Sequence, residues 1–97
     1  MRKITKQTVE AFENNKNFKS GNMEVSSDQF TNRMWLHGNL IALKDHVNNV
    51  FKVSLAGWNT PTTRDRLNGI TGVSIHTKNG QAYLNGNKMD NNYWYII

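Results

Sequence analysis

The sequence predicts one small α+β domain, with two short helices and antiparallel strands in the order α-βββ-α-βββ. Three observations predict it. Short apolar stretches alternate with polar residues along most of the chain, and a proline-started helix interrupts them at Thr60 to Gly69. In addition, Gly21 to Asn39 resembles Gly69 to Asn87 without gaps.

The first element is a helix from Ile4 to Phe12. Thr5 is placed to cap it, Ile4 to pack on Val9 as a hydrophobic staple, and Val9 with Phe12 forms an apolar i, i+3 pair. The polar run Glu13-Asn14-Asn15-Lys16-Asn17 stops it. Residues 13–21, polar and basic with Phe18 as sole anchor, are expected to form a mobile loop. Alternation then marks strands in Met23 to Ser26, Phe30 to His37, Leu40 to Lys44 and Phe51 to Ala56. These read as a bulged three-stranded antiparallel meander, turning at Ser26 to Gln29 and at His37-Gly38-Asn39, with a longer loop at Asp45 to Asn49.

The second helix carries the sharpest local signal. Thr60 caps it, Pro61 occupies the first helical position, Asp65 falls near the first turn and Gly69 stops it. Strands follow at Val73 to Thr77, Gln81 to Leu84 and Tyr93 to Ile97, with Asn79-Gly80 as a hairpin turn and Asn85-Gly86-Asn87 as another.

The two halves match at Gly21/Gly69, Val25/Val73, Ser26/Ser74, Leu36/Leu84, Gly38/Gly86 and Asn39/Asn87, with Trp35 over Tyr83. A shorter second loop then sets Phe51, Val53 and Leu55 over Tyr93, Tyr95 and Ile97. The expectation is an internal duplication within a single domain, residues 1–97, with approximate repeats 4–57 and 58–97. Each repeat exposes an apolar sheet face that its own helix only partly covers, so the two must share a core.

The composition restricts function. The 97 residues hold no cysteine, which excludes disulfides and thiolate metal sites. No secretory signal is expected from Met1 to Thr8, and no apolar run approaches the roughly 20 residues of a membrane helix. The protein is therefore expected in the cytoplasm, away from membranes. A net charge of +5 and a pI near 9.8 suit a polyanionic partner. The abundant asparagines are scattered through turns and read as coding bias.

Catalytic patterns are absent. His37, His46 and His76 have no metal-ligand spacing, no nucleophile motif or phosphate-cradling glycine loop occurs, and Asp28, Asp45, Asp65 and Asp90 suggest no acid–base pair. A non-enzymatic protein without cofactor or metal is expected. With Met34 and Leu36 facing the core alongside Phe51, Val53 and Leu55, alternation sends Arg33, Trp35, His37, Lys52 and Ser54 outward. The matching outward set in the second half is Tyr83, Asn85, Trp94 and Ile96. Aromatics mixed with cations on a sheet face suit stacked bases and phosphates. Arg64 and Arg66 flank Asp65 on the second helix, whose start, at Thr60, Thr62 and Thr63, could hold an anion.

Arg33, Trp35, Lys52, Arg64, Arg66, Tyr83 and Trp94 are thus the candidate residues for binding nucleic acid or a partner. One alternative is a protein–protein modulator of a host or defence enzyme anchored by Trp58, Trp94 and Tyr95. Another is a small-ligand or nucleotide site around His37, Thr62, Thr63 and Arg64.

Two strings, Trp35-Leu36-His37-Gly38-Asn39-Leu40-Ile41-Ala42 and the run from Leu55-Ala56-Gly57-Trp58-Asn59 through Thr60-Pro61-Thr62-Thr63-Arg64-Asp65-Arg66-Leu67-Asn68-Gly69, resemble a family of small uncharacterised tailed-bacteriophage proteins. The similarity continues through Gly72-Val73 and Tyr83-Leu84-Asn85-Gly86 to the C-terminal strand. The resemblance implies a phage origin, hence host-cell cytoplasm. It transfers no catalytic residue, and it favours an accessory binding protein over an enzyme.

Overall fold

The computed structural model describes residues 2–97, as two helices and nine strands: α1 (Lys3–Glu13), β1 (Phe18–Ser20), β2 (Met23–Ser27), β3 (Thr31–Leu36), β4 (Asn39–Asp45), β5 (Val50–Val53), α2 (Pro61–Asn68), β6 (Ile75–Lys78), β7 (Gln81–Leu84), β8 (Asn87–Met89) and β9 (Tyr95–Ile96). All strand pairs are antiparallel. They form a six-stranded sheet in the order β1-β2-β3-β4-β5-β9 and a three-stranded sheet β6-β7-β8.

Local chemistry sets the hairpins. His37-Gly38, Asn79-Gly80 and Asn85-Gly86 each place two successive residues at positive φ, the geometry of a two-residue turn that matches strand twist. Asn15 and Asn49 take positive φ as well. Asparagine tolerates this region because its short amide bonds locally, so its abundance here does structural work in addition to any coding bias.

α1 buries Thr5, Thr8, Val9, Ala11 and Phe12, a helical stripe laid across β2 and β3. The Phe12 ring meets Phe51 at 5.9 Å, tilted by 51°. α2 is capped as its sequence requires, with Thr60 Oγ1 accepting from the Thr63 N–H at 3.2 Å. Beneath both helices one core runs from Val25, Met34, Ala42 and Val53 of the large sheet, through Leu55, Leu67 and Ile70, to Ile75, Ala82, Leu84 and Met89 of the small one.

Several expectations change. Thr5 is not a cap: Arg2 occupies that position without a side-chain bond, while Thr5 is fully buried inside α1 and contacts α2. Residues 18–20 are β1, with Phe18 opposite Val25 and packed on the core. Ser54 is buried, its Oγ accepting from the Ala56 N–H at 3.0 Å. The two halves do not build matching sheets. Val25 pairs with Met34, whereas its sequence match Val73 precedes β6, and Ala82, the match of Met34, pairs with Thr77. The third strand of the small sheet is β8, within and beyond the stretch expected as a turn. β9 instead crosses to the large sheet, placing Tyr95 opposite Val53 and Ile96 opposite Lys52.

A buried polar clasp joins the helices. Arg66, only 2% exposed, donates from Nη1 to Thr5 Oγ1 at 2.8 Å and to Asp65 Oδ2 at 2.9 Å, and Thr5 Oγ1 donates to the same carboxylate. Removing the guanidinium leaves a carboxylate and a hydroxyl facing an emptied site. Arg66→Ala is expected to lower unfolding free energy by about 3 kcal/mol, against less than about 1 kcal/mol for Arg64→Ala, measured by urea denaturation.

Candidate nucleic-acid interface and neighbouring cleft

The seven candidate residues separate into three places. Arg33, Trp35 and Lys52 lie on the outer face of the large sheet, and alternation from inward-facing Tyr95 brings Trp94 and Ile96 there too. Tyr83 is on the outer face of the small sheet. Arg64 and Arg66 are on α2, and the burial of Arg66 removes it from any binding surface. Arg64 Nη1 donates to Asn59 Oδ1 at 2.5 Å, and Asn59 reaches the Gly80 carbonyl, so this arginine is tied to the β6–β7 turn.

On the large sheet the cations are matched by carboxylates. Lys19 is the register partner of Glu24, Arg33 Nη1 lies 3.9 Å from Asp28 Oδ2, and Lys52 sits diagonally across from Asp45. Asp28 is held below the ordinary carboxyl value by the Thr31 N–H first, then the Phe30 N–H, with the Arg33 and His46 charges adding to them. Asp45 is lowered first by the Asn48 side-chain amide and then by the Asn48 N–H, with Val47 and Lys52 contributing less. Both carboxylates therefore stay ionised beside the cations. Trp35 is half-buried between Glu24 and Leu40 in register.

The small sheet differs. His76, Tyr83 and Lys88 form one cross-strand row, with Lys78 and Gln81 opposite each other farther along. The His76 and Tyr83 rings stack at 5.3 Å and 12°. No carboxylate lies on β6, β7 or β8; the nearest in sequence, Asp90, follows β8 directly. The inner face holds Ile75, Ala82, Leu84 and Met89 against the core, which fixes the aromatic row outward. His76, Lys78 and Lys88 were not among the residues the sequence singled out for binding; the register of His76 with Tyr83 depends on the Asn79-Gly80 turn.

A cleft of about 480 Å³ opens where the β3–β4 turn meets the start of α2, lined by Leu36, His37, Ile41, Leu55, Trp58 and the threonines 60, 62 and 63. It brings together His37, Thr62 and Thr63 as the ligand-site alternative expected, whereas Arg64 is not in its wall. The wall contains no lysine or arginine. At the helix start Pro61 has no N–H and the Thr63 N–H is taken by Thr60, which leaves little for an anion. Trp58, 57% exposed, stands at the mouth; Tyr95, a further proposed anchor, is half-buried, and its hydroxyl accepts from the Asp90 N–H at 2.6 Å.

Comparison with known families places the chain. The model described as Kyanoviridae Gp96 protein matches residues 1–96. The chain belongs to this phage protein family. The resemblance carried by the Leu36 to Ala42 and Leu55 to Gly69 strings therefore points to the right kind of source. No curated protein and no solved structure matches it. Among the described residues no helix is long and apolar enough to cross a membrane, and no three His, Asp or Glu side chains converge as a metal site.

The depressed carboxyls of Asp28 and Asp45 give a signed pH dependence. Their stabilisation is present above the ordinary value of 3.8 and is lost as pH falls through their lower folded values. The urea midpoint is expected to drop between about pH 5 and about pH 2, and the Asp28→Asn/Asp45→Asn double variant to flatten that drop.

Proposed function

We propose that this phage protein is a non-enzymatic accessory protein that binds single-stranded nucleic acid on the outer face of its small sheet. The observation that carries the reading is the stacked His76–Tyr83 pair with Lys88 in the same row and Lys78 alongside, on strands that carry no carboxylate, Asp90 following directly after β8. An outward aromatic stack of exposed His76 on half-buried Tyr83 accepts the flat face of a base of any sequence, and the two lysines neutralise the adjoining phosphates. The net +5 charge supports approach to a polyanion, and Arg64 adds positive charge near the β6–β7 end. Arg33 and Lys52 contribute little to this surface, since Asp28 and Asp45 offset them.

Titration of labelled oligonucleotides tests it. Affinity is expected to fall with added salt, Tyr83→Ala to weaken binding by about 1–3 kcal/mol, and Lys88→Ala to reduce the salt slope by about 1. No binding at low salt, or equal binding by both variants, would sink the proposal.

A second reading rests on the cleft beside α2. Its apolar wall, threonine hydroxyls and exposed Trp58 suit a neutral aromatic group better than a phosphate. Such a group could belong to a small ligand or to a side chain of a host or defence protein. A thermal-shift screen of aromatic compounds is expected to raise the melting temperature of the wild type and not of Trp58→Ala.

A further inference from the structure

The outer face of the small sheet continues past the His76–Tyr83–Lys88 row. Tyr83 pairs with Lys88 and Ala82 with Met89, so the same register, carried one step on, sets Gln81 opposite Asp90, and Gln81 is itself opposite Lys78. Lys78, Gln81 and Asp90 therefore form a second row, two residues along each strand and about 7 Å from the first. Beside it lies a polar hollow of about 490 Å³, whose walls include Gln81, Lys88, Asp90, Asn91, Asn92 and Tyr95.

These walls are held by bonds within the protein. The Gly57 N–H donates to the Asn91 carbonyl at 2.7 Å, and the Asp90 N–H to the Tyr95 hydroxyl at 2.6 Å. Asp90 Oδ1 accepts from the Asn92 N–H at 2.9 Å, which leaves Oδ2 without a partner among the described residues. Gln81 Nε2 donates to the Ala82 and Met89 carbonyls, each at 2.9 Å, so both its hydrogens are taken and Oε1 remains as a fixed acceptor. The Tyr95 hydroxyl, having accepted one bond, keeps its own proton to donate.

This set of groups selects among occupants. A phosphate would meet the Asp90 charge, and a two-point clamp on a base edge needs both carboxylate oxygens, of which one is occupied. A hydroxyl suits it, because it donates one bond and accepts another. Where a base lies on the His76–Tyr83 stack and a phosphate on Lys88, the sugar joins the two, and the 2′-hydroxyl of that sugar separates RNA from DNA.

We infer that the hollow receives the ribose of a bound strand, its 2′-hydroxyl donating to the Asp90 carboxylate and accepting from the Tyr95 hydroxyl, so that the small sheet selects RNA over DNA. The inference rests on the nucleic-acid reading of this sheet, and it gives the carboxylate beside the cations a role in recognition.

Fluorescence titration with labelled oligouridylate and with its 2′-deoxy and 2′-fluoro counterparts of equal length tests it. Fluorine preserves the sugar shape of RNA but cannot donate a hydrogen bond. Oligouridylate is expected to bind the wild type roughly tenfold more tightly than either counterpart, the effect of one hydrogen bond to a charged acceptor. Asp90→Ala, with unchanged circular dichroism, is expected to bring oligouridylate down to the affinity of the deoxy strand. Equal affinity of the ribo and deoxy strands for the wild type would overturn the inference and leave the sheet a nucleic-acid surface, as would a 2′-fluoro strand that binds like oligouridylate or a preference that survives Asp90→Ala. Binding by none of the three strands at low salt would overturn the reading of the sheet itself, and the inference with it.

Discussion

The Arg66 guanidinium, enclosed between the two helices, is the interaction on which the rest of the structure depends. It bonds Thr5 of α1 and Asp65 of α2, residues far apart in sequence, and so fixes how the helices lie together. Each sheet is apolar on one face only, and neither helix alone can cover both. Holding the helices side by side lets Phe12 serve the large sheet and Leu67 and Ile70 the space toward the small one. An ion pair with one partner buried, as Arg66 is here beside a partly exposed Asp65, adds little net stability over an apolar replacement, but it penalises arrangements that leave the buried partner alone.

With both inner faces committed to a shared core, function falls to the outer faces, and charge distinguishes them. The large sheet has more aromatic and cationic side chains, yet its lysines and arginine stand beside Glu24, Asp28 and Asp45. An approaching phosphate would meet these carboxylates as well as the cations. The small sheet presents fewer groups, but its His76, Lys78, Tyr83 and Lys88 lie on strands free of acids. Net charge alone does not distinguish these faces. The acids beside each cation do.

What could be read from the sequence was local. The Thr60-Pro61 start and Gly69 stop define α2 because capping is decided within a few residues, and Asn79-Gly80 defines its hairpin for the same reason. Long-range choices were not legible. Thr5 looks like a cap in isolation, and only the approach of Arg66 makes it the centre of a clasp. Tyr93 to Ile97 has the period of a strand, but period does not say which sheet receives it, and β9 joins β5. β1 has one apolar anchor, Phe18, and forms because β2 offers an open edge. The candidate residues divided likewise: Tyr83 was set outward by its match to Trp35, whereas the burial of Arg66 and the carboxylates beside Arg33 and Lys52 follow from tertiary placement.

The most direct test of the claim that the cations on the acid-free strands of the small sheet set the interface is a residue-resolved NMR titration with a short single-stranded oligonucleotide. Amide shifts concentrated on His76, Lys78, Tyr83 and Lys88, with Arg33, Trp35 and Lys52 unmoved, are the predicted result. Shifts concentrated on Arg33, Trp35 and Lys52, with the small sheet silent, would contradict it.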